Sequence, residues 1–274
     1  MPAGTAKRLR LDQLLVERGL VATRSRAQAL VMAGQVRVGE GDAARHDLKA
    51  GDLVDRAAAI ALAEGPVWVS RGARKLLAAL DAFGVDPAGT GAIDVGASTG
   101  GFTDVLLARG AVRVYAVDVG YGQLAERLRH DPRVVSMERV NARSLTAETL
   151  AEAADMAVVD VSFISLGLVL GPVRSTLRNG SGPILALVKP QFEAGRADAR
   201  GGVVRDPEVH RRVLREVAAR AAALGIGMLG VIPSPILGPE GNREFMAHLA
   251  AGAPGPAIEE SIDDAVAAAW ETAR

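Results

Sequence analysis

The chain contains no cysteine, and this absence excludes several kinds of site. Disulfide bonds, zinc sites built on thiolates and a cysteine nucleophile cannot form without that residue. Histidine is also scarce, because His46, His130, His210 and His248 lie far apart and none belongs to an H-E-x-x-H motif. We therefore expect no metal site.

The sequence also lacks a net charge and a segment able to cross a membrane. Its 32 basic and 32 acidic residues cancel, so nucleic-acid affinity would depend on how the charges are distributed. The longest uncharged stretch, residues 221–239, is interrupted by glycine and proline from Gly225 to Gly238, which rules out a continuous membrane helix. Asp12 and Glu17 interrupt what would be the apolar core of a signal peptide. We expect a soluble, cytoplasmic protein, and a monomer, although the sequence leaves the oligomeric state open.

The length of the chain and the position of a glycine–proline break divide it into two parts of unequal size. With 274 residues, 49% of them hydrophobic, there is room for one medium domain and a small companion. Glu64-Gly65-Pro66 predicts the boundary, because proline blocks helix continuation and glycine loosens the backbone. We therefore predict an N-terminal domain over residues 1–64, a linker over 65–69 and a larger domain over 70–274.

The N-terminal domain is the basic part of the chain, with seven basic and two acidic residues among the first 37. Apolar spacing predicts one short helix from Leu11 to Gly19 and a second from Thr23 to Gly34. Strands are expected over residues 35–39 and 52–57, so this domain is a small α+β unit. Its arginines either neutralise nucleic-acid phosphates or form an ordinary solvated surface.

A glycine-rich turn follows the first strand of the larger domain, in the segment Asp94-Val95-Gly96-Ala97-Ser98-Thr99-Gly100-Gly101-Phe102. Glycines let the backbone approach a ligand, and the amides that begin the next helix offer donors to it. The dinucleotide fingerprint requires glycine at the middle position, where this chain has Ser98. Asp94 favours S-adenosylmethionine, which carries a cationic sulfonium and an amino-acid tail. A plain tight turn is the alternative.

Strands and helices then alternate, which predicts an α/β fold with a doubly wound parallel sheet. Asp94, Asp118, Asp160 and Lys189 mark the ends of four strands, where ligands bind in such sheets. Asp118 is placed to bind the ribose hydroxyls of an adenosine, and Asn141 to meet the adenine edge. The last two strands, joined by a Pro/Gly-rich connection, are expected to form a closing hairpin. The predicted strands span residues 93–95, 112–117, 134–137, 156–161, 184–188, 226–232 and 244–249. The predicted helices span 76–84, 103–109, 123–130, 147–153, 166–177 and 207–224.

The larger domain also contains the motifs I-D-V-G-A-S-T-G-G-F, Y-A-V-D-V-G-Y-G-Q-L, V-D-V-S-F-I-S-L, L-V-K-P-Q-F-E and S-P-I-L-G-P-E-G-N-R-E-F. Together they resemble the TlyA family of ribosomal RNA 2′-O-methyltransferases, sometimes called haemolysins. The resemblance covers essentially the whole chain. It implies a Rossmann-like class I methyltransferase sheet of the FtsJ type, mostly parallel with an antiparallel last strand. It also implies S-adenosyl-L-methionine as cofactor and ribosomal RNA or ribosomal subunits as partner.

The first 55 residues resemble a small RNA-binding domain found in a small-subunit ribosomal protein, bacterial tyrosyl-tRNA synthetases and many pseudouridine synthases. The stretch R-S-R-A-Q-A-L-V-M-A-G-Q-V-R-V carries most of this likeness. In those proteins the basic second helix lies along folded RNA. The candidate RNA-binding residues are accordingly Lys7, Arg8, Arg10, Arg24, Arg26, Arg71 and Arg74.

The family resemblance implies a catalytic Lys-Asp-Lys-Glu tetrad, which falls on Lys75, Asp160, Lys189 and Glu244. Methyl transfer to a ribose hydroxyl depends mainly on holding oxygen, carbon and sulfur in line. A lysine whose ammonium form is destabilised by burial or by a neighbouring cation can accept the hydroxyl proton, and we assign that role to Lys189. The candidate cofactor-binding residues are Asp94, Gly96, Ala97, Ser98, Thr99, Gly100, Gly101, Phe102, Asp118, Asn141 and Asp160.

The target nucleotide must leave its stack to reach a buried methyl group. Phe163 and Phe192 could stack on the extruded base, or could be core residues. The family resemblance implies cytidine as the target in the large subunit, and the tail 258–274 suggests that the small subunit is a further substrate. A non-catalytic RNA-binding or ribosome-assembly factor is the main alternative. An oxidoreductase is disfavoured by Ser98, and a pore-forming haemolysin by the lack of a membrane-spanning or amphipathic segment.

Overall fold

The computed structural model describes residues 8–40, 44–45, 48–63, 67–195, 197–251 and 258–271. Lys7, a candidate RNA-binding residue, lies outside this set. The chain forms two compact units, residues 1–73 and 74–274. The linker that we predict at residues 65–69 falls within the first unit, so the domain boundary stays a prediction. The described helices include none that is long and apolar enough to cross a membrane.

The first unit contains both helices that the sequence predicts, but its strands pair in an unexpected way. Thr23 caps the second helix by accepting a hydrogen bond from the amide of Arg26 at 3.2 Å. We expected one short sheet, whereas the two predicted strands each pair with a strand that we did not predict. The elements are β1 (Arg8–Arg10), α1 (Leu11–Glu17), α2 (Arg24–Met32), β2 (Val36–Val38), β3 (Leu53–Asp55) and β4 (Ile60–Leu62), with β1 antiparallel to β3 and β2 antiparallel to β4. A small core lies between them, formed by residues that include Leu11, Leu15, Leu30, Val31 and Val54.

A buried carboxylate joins the two helices of this unit. Asp12, on α1, is fully buried and accepts hydrogen bonds from Arg10 at 3.1 and 3.0 Å. It also accepts bonds from Arg24 and Gln28 of α2, both at 3.0 Å. The hydrogen bond from Arg10 is the largest of the effects that hold the pKa of the Asp12 carboxyl well below its usual range. Asp12 therefore stabilises the packing of α1 on α2.

Replacing Asp12 with alanine should destabilise the first unit, because Arg10, Arg24 and Gln28 would lose the buried carboxylate to which they donate. We expect the first unit to lose roughly 2 kcal/mol of stability, the scale of lost hydrogen bonds to a charged group, because the arginines left behind are half exposed and can be hydrated. Hydrogen exchange of the α1 and α2 amides in the full chain measures this loss. Glu17→Ala is the matched control, since Glu17 forms an ion pair with Arg56 in which both side chains are more than 40% exposed. Equal protection in the two variants would contradict the assignment.

The second unit is built on a seven-stranded sheet, as the alternating pattern predicts. Its elements in chain order are α3 (Ala73–Phe83), β5 (Gly91–Val95), α4 (Gly101–Ala108), β6 (Arg113–Asp118), α5 (Glu126–Arg129), β7 (Val134–Glu138), β8 (Met156–Val159), α6 (Leu170–Thr176), β9 (Gly182–Val188), α7 (Pro190–Glu193), α8 (Pro207–Ala223), β10 (Ile226–Pro233), β11 (Phe245–Ala251) and α9 (Glu259–Glu271). The strand order is β10-β11-β9-β8-β5-β6-β7. β5 to β9 are parallel, and β11 is antiparallel to both of its neighbours. The mostly parallel sheet with an antiparallel last strand is thus confirmed. The last strand lies inside the sheet, however, between β9 and β10.

Several helix predictions need correction. The helix expected over residues 147–153 is only a 3-10 turn, Ala147–Thr149. The amide of Thr146 donates to Thr149 Oγ1 at 2.8 Å, and the chain then leaves the helical path to bury Leu150. The predicted helix 123–130 is reduced to the single turn α5. Two helices, α7 and α9, were not predicted at all.

The sheet places one end of every parallel strand at the same edge. Asp118 ends β6, and Asp160 and Lys189 follow β8 and β9 directly. Since β5 to β9 run in the same direction, their carboxyl ends meet at one edge. α8 begins where the sequence predicts, with Asp206 accepting a hydrogen bond from the amide of Glu208 at 2.8 Å.

Candidate functional site

A cavity of about 430 Å³ opens at the carboxyl edge of the sheet. This volume is within the range of small-molecule sites. The cavity lies beyond the ends of β6 and β8, where a doubly wound sheet binds ligands. Its lining comprises Gly96, Ser98, Val117, Asp118, Val119, Gln123, Val140, Asn141, Ala142, Arg143, Asp160, Val161, Ser162, Phe163 and Ile164.

The glycine-rich turn gives one wall of this cavity its shape. A side chain on Gly96 would collide with the backbone of Asp160, and one on Gly100 would collide with Leu128. Both glycines have a positive φ, and so does Ser98, at 48°. Because Ser98 adopts the left-handed conformation without being glycine, its backbone is mildly strained. The turn thus passes close to the end of β8 and leaves the space beyond it open.

Asp94 fixes the start of α4 instead of lining the cavity. Its Oδ2 accepts hydrogen bonds from the amide of Thr103 at 2.8 Å and from Thr103 Oγ1 at 2.6 Å. Asp94 is fully buried, and within the part of the chain that the structure describes its Oδ1 has no hydrogen-bond partner. Burial raises the pKa of the Asp94 carboxyl to about 7, and the neighbouring Asp160 and Asp118 contribute in the same direction. A cation bound near these three carboxyl groups would lessen that repulsion.

Asp118 and Asn141 both line the cavity, as we expected of residues that bind an adenosine. Asp118 Oδ2 accepts from the amide of Ser98 at 2.8 Å, and its Oδ1 accepts from the amide of Gly120 at 2.7 Å. These bonds hold the carboxylate at the end of β6. Asn141 Oδ1 accepts from the amide of Arg143 at 3.0 Å and so caps a short 3-10 turn.

The predicted cofactor-binding residues therefore divide into two groups. Gly96, Ser98, Asp118, Asn141 and Asp160 line the cavity. The others shape the turn behind it, and they are Asp94, Ala97, Thr99, Gly100, Gly101 and Phe102.

The four residues of the predicted tetrad form two ion pairs. Lys189 Nζ lies 2.6 Å from Asp160 Oδ1 and donates to Ser162 Oγ at 2.9 Å. Lys75 Nζ donates to Glu244 Oε2 at 2.5 Å. Little of either ammonium group is in solvent, because the side chains of Lys75 and Lys189 are 9% and 11% exposed. Each lysine thus has a carboxylate partner close to the sheet edge.

The register of the sheet brings the two ion pairs side by side. Phe245 of β11 pairs with Val188 of β9. Glu244 precedes Phe245 and Lys189 follows Val188, so Glu244 and Lys189 are opposite each other at the next position of the antiparallel register. Gln191 also donates to Glu244 Oε1 at 3.3 Å. The four tetrad residues therefore form one cluster, although Lys75 and Glu244 are 169 residues apart in the sequence.

The two residues that precede Glu244 are both anchored by contacts with other parts of the second unit. Asn242 donates to the carbonyl of Gly202 at 2.9 Å and accepts from the amide of Val204 at 3.2 Å. Arg243 donates to the carbonyl of Ala269 in α9 at 2.9 Å. Its guanidinium carbon also lies 4.0 Å from the centre of the Trp270 ring. The start of β11 is thus fixed by α9 and by the segment before α8.

The predicted RNA-binding arginines differ in their surroundings. Arg10 and Arg24 share the carboxylate of Asp12, with side chains 42% and 52% exposed. Arg8, Arg26 and Arg74 are exposed, whereas the stem of Arg71 lies against Gly34. All of these remain predictions as RNA contacts.

The sequence did not predict several residues that line the cavity or contact the tetrad. Ser162 and Gln191 each follow a tetrad residue by two positions, which is the only sequence signal for them. Gln123 and Arg143 lie in irregular segments after β6 and β7, where no periodicity marks a cavity wall. Phe163 was considered, and it is 89% exposed with a φ of 63°, which is unusual for a large aromatic residue.

Comparison with known proteins identifies the family. The model of the FtsJ-like methyltransferase family matches residues 68–251, and that of the S4 domain matches residues 9–41. The chain belongs to the TlyA family of FtsJ-like methyltransferases. The 16S/23S rRNA (cytidine-2′-O)-methyltransferase TlyA of Mycobacterium tuberculosis is 45% identical over 95% of this chain and 97% of its own.

Further relatives support the family assignment. Hemolysin A of Brachyspira hyodysenteriae is 36% identical over 88% of this chain and 99% of its own. A solved structure of a hemolysin candidate from Streptococcus thermophilus is 42% identical, has a TM-score of 0.76 and covers 98% of both chains. Membership in the family confirms the predicted methyltransferase fold and the N-terminal S4 domain, and it identifies this protein as a methyltransferase.

Asp94 should make the stability of the second unit depend on pH. Between pH 4 and pH 7 the folded state keeps a proton on Asp94 that the unfolded chain releases, so the free energy of unfolding falls as the pH rises through this window. A pKa raised to about 7 corresponds to up to about 4 kcal/mol. Asp94→Asn should abolish this contribution.

Urea unfolding from pH 4 to pH 8 tests the effect. Fluorescence of Trp270, in a Trp68→Phe background, reports on the second unit, since the chain has two tryptophans. Asp86→Asn, in the exposed turn before β5, is the control. The same pH dependence in Asp94→Asn as in the parent would show that Asp94 titrates normally.

Proposed function

We propose that this methyltransferase transfers a methyl group from S-adenosylmethionine to the 2′-hydroxyl of a cytidine in ribosomal RNA. The large subunit is the proposed substrate, with the small subunit as a second one. The observation that carries the proposal is the cluster of two lysine–carboxylate pairs beside the cavity. A ribosomal substrate implies a cytoplasmic enzyme.

The relatives support this choice of reaction. The TlyA protein of Mycobacterium tuberculosis is named as a 16S/23S rRNA (cytidine-2′-O)-methyltransferase, and that of Campylobacter jejuni, 33% identical over 66% of this chain, as a 23S rRNA (cytidine-2′-O)-methyltransferase. The S4 domain match over residues 9–41 supports RNA as the partner. Phosphate contacts from such a unit add affinity and position the substrate.

The cavity suits S-adenosylmethionine in charge and in shape. Asp118 and Asp160 line it, and both interact electrostatically with the buried Asp94 behind them. A sulfonium cation is favoured beside carboxylates. Asp118 would accept from the ribose hydroxyls, while Asn141 and Val119 would border the adenine. Gly96 leaves the space into which the amino-acid tail would extend. Bound there, S-adenosylmethionine supplies a methyl carbon activated by the positive sulfur.

The tetrad residues orient the attacking hydroxyl and remove its proton. Lys189 would first release the ammonium proton held beside Asp160, and its side chain would then accept the proton of the 2′-hydroxyl. Asp160 and Ser162 hold the Lys189 side chain in place. Lys75 supplies positive charge beside the ribose, and Glu244 fixes its ammonium group. Alignment of these groups accounts for much of the rate enhancement.

The aromatic pair next to the tetrad is suited to bind the extruded nucleotide. The rings of Phe163 and Phe192 lie 4.9 Å apart, and Phe163 is exposed at the cavity rim. An exposed ring of this kind can stack on an unpaired base. We propose that the pair receives the cytidine when it leaves the RNA stack.

Methyl mapping tests the proposed reaction. The protein is incubated with unmodified ribosomal subunits and labelled S-adenosylmethionine, and the rRNA is analysed by mass spectrometry of nuclease fragments. We expect a 2′-O-methylated cytidine in the large subunit. Binding of ribosomal subunits without any methyl transfer would instead support the non-catalytic assembly factor.

Lys189→Met should abolish methyl transfer while leaving S-adenosylmethionine and RNA binding nearly unchanged. Methionine keeps the length of the lysine stem but cannot accept the proton, so we expect the turnover number to fall about 10²-fold or more. Arg109→Ala is the control, because Arg109 follows α4 and pairs with Asp81, away from the tetrad. Turnover above a tenth of the parent value in Lys189→Met would remove Lys189 as the base.

A further inference from the structure

The motif L-V-K-P-Q-F-E ends in a glutamate to which the proposed reaction assigns no role. Glu193, the last residue of α7, has a side chain that is only 3% exposed. A carboxylate is rarely buried unless its oxygens are hydrogen-bonded, because desolvation is costly. Its partners therefore show what the residue does.

The three partners that Glu193 has among the described residues all lie outside its own helix. Its Oε1 accepts from the amide of Leu166 at 2.7 Å, and its Oε2 accepts from Ser165 Oγ at 2.7 Å. Arg220 of α8 donates to the same Oε2 at 3.1 Å and to Ser165 Oγ at 3.2 Å. One carboxylate thus connects α7, α8 and the loop after β8.

These contacts join the two segments that carry the proposed chemistry. Residues 160–166, which follow β8, contain Asp160 and Phe163, while residues 189–193 contain Lys189 and Phe192. The Asp160–Lys189 ion pair and the Phe163–Phe192 ring pair both bridge these segments. Glu193 makes a third bridge, and among the three it is the most deeply buried.

We propose that Glu193 is a positioning residue for methyl transfer, which holds the loop after β8 against α7 and so sets the placement of Lys189 relative to Asp160. Through the same contacts it fixes the spacing of the two phenylalanine rings. This inference rests on the proposed function. Displacements of about 1 Å can slow an enzyme about a hundredfold, so a loosened loop should act mainly on turnover.

The test compares two glutamates that share one arginine. Glu193→Gln keeps the size of the side chain but removes the charge that binds Arg220 and one acceptor oxygen. Glu216→Gln is the matched control, because Glu216 accepts from the other nitrogen of Arg220 at 3.1 Å on the exposed face of α8. For each variant, the stoichiometry of S-adenosylmethionine binding is measured by calorimetry, and the turnover number with ribosomal subunits is expressed per binding site.

We expect Glu193→Gln to bind one S-adenosylmethionine per chain and to lose about tenfold or more in turnover number, with a smaller change in KM for the subunits. Glu216→Gln should match the parent. A purely structural role would lower the number of binding sites and leave turnover per site unchanged, and that result would overturn the proposal.

A second variant keeps the test decisive if Glu193→Gln does not fold. Ser165→Ala removes the hydroxyl that bridges Glu193 and Arg220 and that also accepts from the amide of Gly167 at 3.2 Å. It should lower turnover several-fold in the same direction. Turnover equal to the parent in Ser165→Ala would then overturn the proposal. Absence of methyl transfer by the parent protein would overturn the proposed function and this inference together, whereas an active parent with unimpaired variants would overturn only the role of Glu193.

Discussion

Two lysine–carboxylate pairs at the carboxyl edge of the sheet constrain the arrangement of the second unit. A buried charge is tolerated only beside a group of opposite charge. Removing one member of such a pair leaves the other charge buried and unpaired, which destabilises the folded state by several kcal/mol. Lys75 reaches Glu244, which is fully buried, and Lys189 reaches Asp160. These contacts require that the starts of α3 and β11 lie beside the carboxyl ends of β8 and β9.

The scaffold around the pairs shows how that requirement is met. Antiparallel insertion of β11 beside β9 makes Glu244 and Lys189 neighbours. Asn242 and Arg243 hold the start of β11, and Glu193 holds the loop after β8. On the cavity side, Asp94 fixes the start of α4 and Asp118 fixes the turn around Ser98. Tetrad residues and the residues that support them thus alternate along the same short segments.

Much of this organisation could be read from the sequence, because it depends on local patterns. The alternation of strands and helices, the cap at Asp206 and the glycine turn are local signals, and the structure confirms them. The tetrad came from family motifs, since no local pattern predicts that Lys75 meets Glu244. The pairing of β1 with β3, the burial of Glu193 and the role of α9 depend on contacts far apart in sequence. The 3-10 turn at Ala147–Thr149 differs from the predicted helix because burial of Leu150 outweighs helix propensity.

A double-mutant cycle across the two pairs tests most directly whether they act as one catalytic unit. The turnover number for methyl transfer to ribosomal subunits is measured for Glu244→Gln, Asp160→Asn and the double variant, each corrected for S-adenosylmethionine-binding sites. The account predicts strongly non-additive losses, with the double variant little slower than the slower single one. Additive losses, or a single variant with parent turnover, would contradict it.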